Sequence, residues 1–528
     1  MNPDAPTTAR TRLGPRELAW LLAAAVGLRV LGLWRACLSD DEATYCVVAR
    51  EMLSGHVLYR DVVDHKPPLI YFVYAATQAV GGPTGGMRLL HLLTALVVFA
   101  TALVIGRIAR VAAGDTWESG GPEPRRVSFW AALLYILFST TLFDFDAQAA
   151  NCELYMMLPL CGSVAVYLDA AAGRPRLSRL WTAGALVGLA MLFKYQAAVQ
   201  LPLYALHLAW TERRRPGRVA AAWAALAGGL LAGLGTAGAV ARAAGAWSSA
   251  WFWFRFNFAY IKEGLRPAEL LARAAGRVSY GVGPALFLWI LGVGAALAAV
   301  RRRAEPGDNA RLDGVLAGWL LVSVLAVTAG GRFFGHYFHQ TTAPLAALAA
   351  PAAARLVRRR RGLVTAALAV PVTVFFLLGI GHSRMMAAAG VPDPDYPAMA
   401  AFIDAHAAPG ESVVVWGNAP VLYFEAQRPL GCRFVFSNYL SGLSPATRTQ
   451  SDPRADASAN VVAESWDMFE ADVADRRPRL LVDTSPGNIA AYGKFPPARF
   501  PRLQAILARD YVPLGTVAGA LILERRAP

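Results

Sequence analysis

The sequence predicts a polytopic α-helical membrane protein with a small α/β region beyond its last span. Three observations carry this. Hydrophobic residues make up 56% of the 528 positions and charged residues only 16%, against roughly 25% charged in soluble chains. Long apolar runs alternate with short arginine clusters over the first 382 residues. After residue 383 the apolar runs shorten to strand length.

A span needs about 20 apolar residues, fewer where short helices pair at one membrane face. The runs place eleven spans near 17–37, 87–106, 128–143, 154–171, 181–193, 197–210, 219–243, 277–300, 313–330, 341–356 and 362–382. Basic clusters mark cytoplasmic loops. With eleven spans and a cytoplasmic N-terminus, all six arginine clusters fall on the cytoplasmic side, from Arg10/Arg12/Arg16 to Arg358–Arg361. The odd count leaves the C-terminal region outside. The run 69–82 is too short to cross and is expected to be an interfacial or re-entrant helix started by Pro67-Pro68. The run 181–210 carries Lys194 at its middle. A lysine at the bilayer centre costs about 2.5–3.5 kcal/mol, so the run is expected to split into two short helices with Lys194 at the outer turn. The first apolar run lacks a small-residue cleavage site and reads as a retained anchor.

Residues 1–382 thus form a membrane domain, with a first outer loop at 38–68, and 383–528 a small α/β domain. In the latter, 411–417, 432–437, 479–485 and 520–525 read as strands and 396–407 as an amphipathic helix.

The net charge of +15 does not point to nucleic acid, because the arginines sit between membrane spans. Only four lysines occur, Lys66, Lys194, Lys262 and Lys494. In a chain where arginine serves as the general cation, each lysine draws attention. The five cysteines show no metal spacing. Cys46 and Cys152 both fall in outer loops, so they read either as a disulfide or as small buried apolar residues.

The outer face collects the unusual polar residues. Asp40-Asp41-Glu42 directly follows the first span. Adjacent carboxylates raise one another's pKa or recruit a cation, and one in a partly dry cleft can act as general base; the plain alternative is a helix cap. His65-Lys66-Pro67-Pro68 joins a compact cation to a rigid helix start, a good setting for phosphate, or else for a snorkelling lysine. Asp144, Asp146 and Glu153 form a second acidic group. Arg332, His336, Tyr337 and His339 stand before a late span. The stretch 247–264 is aromatic-rich and is placed at an outer interface.

Asp41-Glu42-x-x-Tyr45, about twenty residues before Lys66-Pro67-Pro68-Leu69, resembles the first loop of GT-C glycosyltransferases. The nearest branch is the bacterial one related to protein mannosyltransferases and lipid A aminoarabinose transferases (families 39 and 83). Residues 149–159 resemble that family's second outer loop and 331–350 its arginine-x-x-x-His-Tyr segment. The resemblance implies a GT-C fold in a bacterial inner membrane. It implies transfer of a sugar from a polyprenyl-phosphate donor to a lipid, glycan or protein hydroxyl at the outer face. Asp41, Glu42 and Glu153 would be catalytic. Lys66, Arg332, His336 and Tyr337 would bind the donor phosphate. Tyr45, His65, Asp146 and Lys194 are candidate substrate contacts. No cofactor is required by the close branch; a divalent cation at the acidic loop is a candidate, because distant members use one. The competing readings are a flippase of lipid-linked glycans and a non-catalytic cell-envelope assembly protein.

Overall fold

The computed structural model describes residues 12–114, 122–142, 148–171, 175–261, 267–302, 308–388, 393–445 and 447–527. It is mostly helical, with one four-stranded sheet in the C-terminal part. Among the described helices, four are long and apolar enough to cross a bilayer: Leu69–Ala113, Cys152–Ala171, Pro216–Ala243 and Arg361–Gly381. Ala268–Val282 and Leu286–Arg301 pass the same test together, bent by 99°, which makes five. The expected straight crossing at 277–300 is therefore two helices. Pro284 lies in the break, where it cannot continue the preceding hydrogen-bond ladder.

Other breaks fall where the sequence expects them. The run 181–210 separates into Leu177–Met191, a 3₁₀ turn at Tyr195–Val199 and Gln200–Thr211, with Lys194 in extended conformation between them. The helical path of Leu69–Ala113 is interrupted at Gly82, with φ 67° and ψ −173°, a region open essentially to glycine. The chain folds back there: a Cβ on Gly86 would lie 2.7 Å from the Gln78 Cα. Residues 69–81 are thus a short helix distinct from the long one that follows. The first expected span, 17–37, is also broken, into Pro15–Gly27 and Val30–Trp34. Arg29 sits at that break, buried, and donates to the Gln148 carbonyl at 3.0 Å.

The helices have a common polarity of charge. Arg107, Arg125, Asp169 and Arg179 lie at ends of four different helices. Arg107 and Arg179 both pair with Asp169, and Arg125 pairs with Glu17 at 2.8 Å. The opposite ends of these helices carry or adjoin Gly82, loop two, Glu153 and Lys194. At 1.5 Å per residue, roughly 23–38 Å of helix separates the arginine-rich pole from the polar loops. Packing within the bundle is close. A Cβ on Gly229 would fall 1.9 Å from the Trp181 carbonyl oxygen, so Pro216–Ala243 and Leu177–Met191 touch backbone to backbone, as small residues permit in membranes.

The sheet consists of β1 (Val413–Trp416), β2 (Leu480–Asp483), β3 (Tyr511–Val517) and β4 (Ala520–Arg525). Their order is β1-β2-β4-β3, with β1 and β2 parallel and the other pairs antiparallel. The helix Ala463–Arg476 lies in the crossover between the two parallel strands. All four residues of both β1 and β2 are buried, which explains their apolar runs, broken only by Asp483 at the end of β2. The expected helix at 396–407 is Tyr396–His406, capped by Asp395 on Ala398 N at 3.0 Å. Two strand expectations need correction. β3 was not expected, because Pro513 and Gly515 interrupt its pattern. The segment 432–437 does not join the sheet. Its backbone holds the first loop instead: Val63 N donates to the Arg433 carbonyl at 2.8 Å, and Val63 bridges Phe434.

That bridge is one of several. Arg50 donates to the Arg428 carbonyl at 2.6 Å, Arg476 to the Asp61 carbonyl at 2.7 Å and Arg433 to the Arg60 carbonyl at 3.1 Å. The buried Glu51 carboxylate accepts from Leu430 N at 3.1 Å. The last long helix, Arg361–Ala388, runs past the boundary expected at 382.

Gly229→Ala is expected to destabilise the detergent-purified protein by about 1–3 kcal/mol through overpacking. Gly217→Ala, in open space, should leave the melting temperature unchanged. Equal melting temperatures would refute the backbone contact.

Candidate active site

The acidic loop is a helix start. Ser39 caps Asp40–Leu53, its Oγ accepting from Glu42 N at 3.2 Å, and three carboxylates occupy the first turn. Negative charge there is favoured by the helix dipole. Successive helical residues point about 100° apart, so the three carboxylates cannot share one face. Asp41 turns to a cavity of about 660 Å³ and meets Lys66 Nζ at 2.7 Å. Glu42 turns into the bundle and is fully buried. It accepts from Leu38 N at 2.7 Å and from Ala150 N at 2.5 Å, with His91 Nε2 at 3.7 Å. Glu42 braces loop one against loop two and does not line the cavity.

Lys66 is set by its backbone. Tyr59 OH donates to the Lys66 carbonyl at 2.7 Å. Its ammonium also donates to Tyr45 OH at 2.7 Å, which places Tyr45 behind the ion pair rather than on the cavity wall. Leu69 N, at the start of the next helix, donates to the Leu192 carbonyl at 3.0 Å. This link ties the Lys66 loop to the turn that carries Lys194. Lys194 Nζ meets Glu153 Oε1 at 2.8 Å, and His336 Nε2 lies 3.7 Å from the same oxygen. The Lys194 ammonium stands 4.8 Å from the Tyr337 ring centroid. Two lysine–carboxylate pairs thus lie side by side, each tying a loop to a neighbouring element. Glu153 sits behind Lys194 and His336, which line the cavity while Glu153 does not.

A third wall comes from 247–261 and the C-terminal part. The aromatic stretch is a helix, Trp247–Ile261, that presents Phe254, Phe256 and Asn257 to the cavity. Asn257 donates to the His65 carbonyl at 2.8 Å, and the His65 ring meets Tyr439 OH at 3.1 Å. Arg332 lines the cavity but is engaged by its roof, donating to Ser444 Oγ at 3.0 Å and to the Pro445 carbonyl. Sequence reasoning missed Asp64, Asn418, Asn438, Tyr439 and Asn460, all on the wall. Asp64 was legible in principle, since it adjoins His65 in the first loop. It accepts from His65 N at 2.6 Å and Tyr71 OH at 2.8 Å.

The electrostatics favour fixed charge states. Burial pushes the Asp41 carboxyl up, but the Lys66 ammonium, with His336 behind it, holds it well below the usual carboxylate range. A third of its side chain, 33%, opens to the cavity; the surrounding bundle rather than bulk water sets its environment. Burial likewise pulls Lys66 down, yet Asp41 keeps it above the ordinary lysine value. Asp64 is desolvated too, and His65 and Lys66 hold its pKa below the ordinary value. An ionised carboxylate beside ammonium groups able to attract a phosphate suits a phosphorylated ligand; while paired with Lys66, Asp41 is a weak base, and it gains basicity when an anion draws Lys66 away.

Asp41 and Glu42 diverge, and among the described residues no three His, Cys, Asp or Glu side chains converge as ligands. Asp144 and Asp146 lie outside the described residues. Cys46 and Cys152 are free and buried, and Cys152 Sγ lies 3.5 Å from Tyr45 OH.

The chain shares its fold with solved GT-C membrane glycosyltransferases. The chain is similar to ArnT from Cupriavidus metallidurans. Against the form bound to undecaprenyl phosphate it is 14% identical, with a TM-score of 0.54, over 96% of this chain and 97% of that one. Against the apo state the TM-score is 0.56 at the same identity and coverage. It is also similar to the archaeal oligosaccharyltransferase AglB from Archaeoglobus fulgidus, in complex with an inhibitory peptide and a dolichol-phosphate. There the identity is 13% and the TM-score 0.52, over 91% of this chain and 70% of that one. No protein-family model and no curated sequence matches the chain.

The depressed pKa of Asp41 has a definite sign. Its pairing contributes stability above the ordinary carboxylate range and loses it only as pH falls below that range. The stability difference between wild type and Asp41→Asn is therefore expected to stay constant from pH 8 to about 4. Thermal melts across pH check this; a difference that vanished near pH 6 would contradict the pairing.

Proposed function

We propose that this protein is a membrane glycosyltransferase that moves a sugar from a polyprenyl-phosphate donor to an acceptor hydroxyl at the outer face of a bacterial inner membrane. The observation that carries this reading is the pair of lysine–carboxylate contacts, Lys66–Asp41 and Lys194–Glu153, set together at one cavity. An entering donor phosphate competes with Asp41 for Lys66. Lys66 and Lys194, with His336 and Tyr337 beside them, neutralise the charge that develops on the leaving phosphate. Freed from Lys66, Asp41 becomes a stronger base. It takes the proton from the acceptor hydroxyl, whose oxygen attacks the anomeric carbon. The bond from that carbon to the phosphate oxygen breaks, its electron pair stays on the phosphate, and the anomeric centre inverts. Glu42 and Glu153 hold loop one, loop two and Lys194 in register and do not touch the acceptor in this scheme. His65 and Tyr45 support Lys66. Arg332 reaches the donor phosphate only by exchanging its roof contacts.

The arginine-rich pole supports the sidedness, because basic clusters favour the cytoplasm; the cavity lies at the other ends of the same helices. Eleven crossings, with the shorter apolar helices counted, remain the topology proposed, and 383–528 the outer domain. A flippase has no use for a carboxylate held ionised beside the phosphate site, and an assembly protein has no use for either lysine.

Transfer from a radiolabelled polyprenyl-phosphate sugar in purified membranes tests the assignment. Asp41→Asn is expected to lower the rate by about 10²–10⁴, the usual range for a general base. Lys66→Ala should lower it by roughly 10²–10³ through lost charge stabilisation. Wild-type rates in both variants would overturn the reading.

A further inference from the structure

The cavity has two unlike ends. One holds Asp41, Lys66, Lys194 and His336. The other is built by the C-terminal part, and none of the lining residues that part supplies is charged. Its polar groups are the Ser444 hydroxyl, which accepts from Arg332, and three carboxamides, Asn418, Asn438 and Asn460, which stand among aromatic rings, Phe436 and Tyr439. The two rings lie 5.4 Å apart at 37°. Asn438 is held by donating to Asn418 Oδ1 at 3.0 Å. It is 7% exposed, and its own Oδ1 has no partner among the described residues.

We infer that this wall is a subsite for a neutral polyhydroxylated ring, and that the ring belongs to a glycan acceptor. The inference rests on the transferase reading above and names its acceptor class. A carboxamide offers a donor and an acceptor in one plane, matching neighbouring hydroxyls that each both donate and accept. An aromatic face covers the C–H side of a sugar ring. Asn460 is held too, donating to the Gly442 carbonyl at 3.2 Å, and an acyl chain would leave the Asn438 carbonyl oxygen buried without a partner. The C-terminal part supplies no counter-charge for a phosphorylated headgroup or a charged peptide, and Arg332, which reaches this wall, is engaged by Ser444 and Pro445. A site built to hydrogen-bond hydroxyls also rejects analogues that lack them. The same chemistry would suit the donor's own sugar, so the experiment has two arms.

The full-length, detergent-purified protein is applied, without donor, to an immobilised panel of neutral hexasaccharides of mannose, glucose, galactose and arabinofuranose. At least one class is expected to bind. Asn438→Ala should weaken that binding at least tenfold, and Asn460→Ala serves as the second variant if the first fails to fold. Lys66→Ala should bind the glycan as wild type does, which separates this proposal from the transferase reading. In the second arm, a water-soluble short-chain prenyl-phosphate monosaccharide should lose affinity in Lys66→Ala and keep it in Asn438→Ala. Loss of that probe in Asn438→Ala with glycan binding intact would assign the wall to the donor sugar and overturn the proposal. Absence of glycan binding by wild type, or binding indifferent to both asparagine variants, would overturn it too.

Discussion

A buried ammonium needs a carboxylate within reach, and the site is organised around meeting that need twice. Breaking a buried ion pair by removing one partner costs about 3–5 kcal/mol, because the other charge is left uncompensated. Lys66 and Lys194 are each mostly buried and each has its own carboxylate. To bring four such groups together, the chain gives up straight helices. The extended residue at Lys194 and the helix start at Ser39 both lie at the same cavity. The helix break at 283–285 packs on the neighbouring late segment: a Cβ on Gly281 would meet the Phe338 ring at 2.5 Å. Each lysine–carboxylate pair then rewards the irregular backbone that made it possible.

The legible part of the site was the part that violated its surroundings. Asp41, Lys66 and Lys194 stood out because charged residues are rare in an apolar chain, and arginine bookkeeping placed them on one side. Lys194 even forced the correct helix break. The orientation of Glu42 was not legible, because it depends on where the helix begins, and Ser39 moves that start to Asp40. The break near Gly283-Pro284 was hidden inside an unbroken apolar run. Strand 511–517 was hidden by Pro513 and Gly515. The segment 432–437 has strand composition, yet tertiary pairing with Val63 claims its backbone. The asparagine wall has no sequence signature at all; positions 418, 438 and 460 share no period, and only the fold of the C-terminal part assembles them.

The cavity therefore joins two kinds of surface from two stretches of chain. The bundle and its first loop supply fixed charges on rigid backbone. The C-terminal part supplies neutral hydrogen-bonding groups and rings. Arg332 spans the two, leaving the late segment of the bundle to grip the roof at Ser444 and Pro445. Fixed charge and neutral hydrogen bonding thus come from separate stretches, and the two walls can diverge independently in sequence.

The bridge from Val63 to Arg433 and Phe434 limits that independence. Lys66 lies three residues beyond Val63, so the backbone that aims the ammonium is partly a strand borrowed from the C-terminal region. An exchange of C-terminal regions between related chains would not simply change what docks at the roof. It would re-aim the lysine, unless the donor of the new region also carried a backbone edge at the same register. The region that reads as an appendage in sequence is, in mechanical terms, a jaw that holds the first loop.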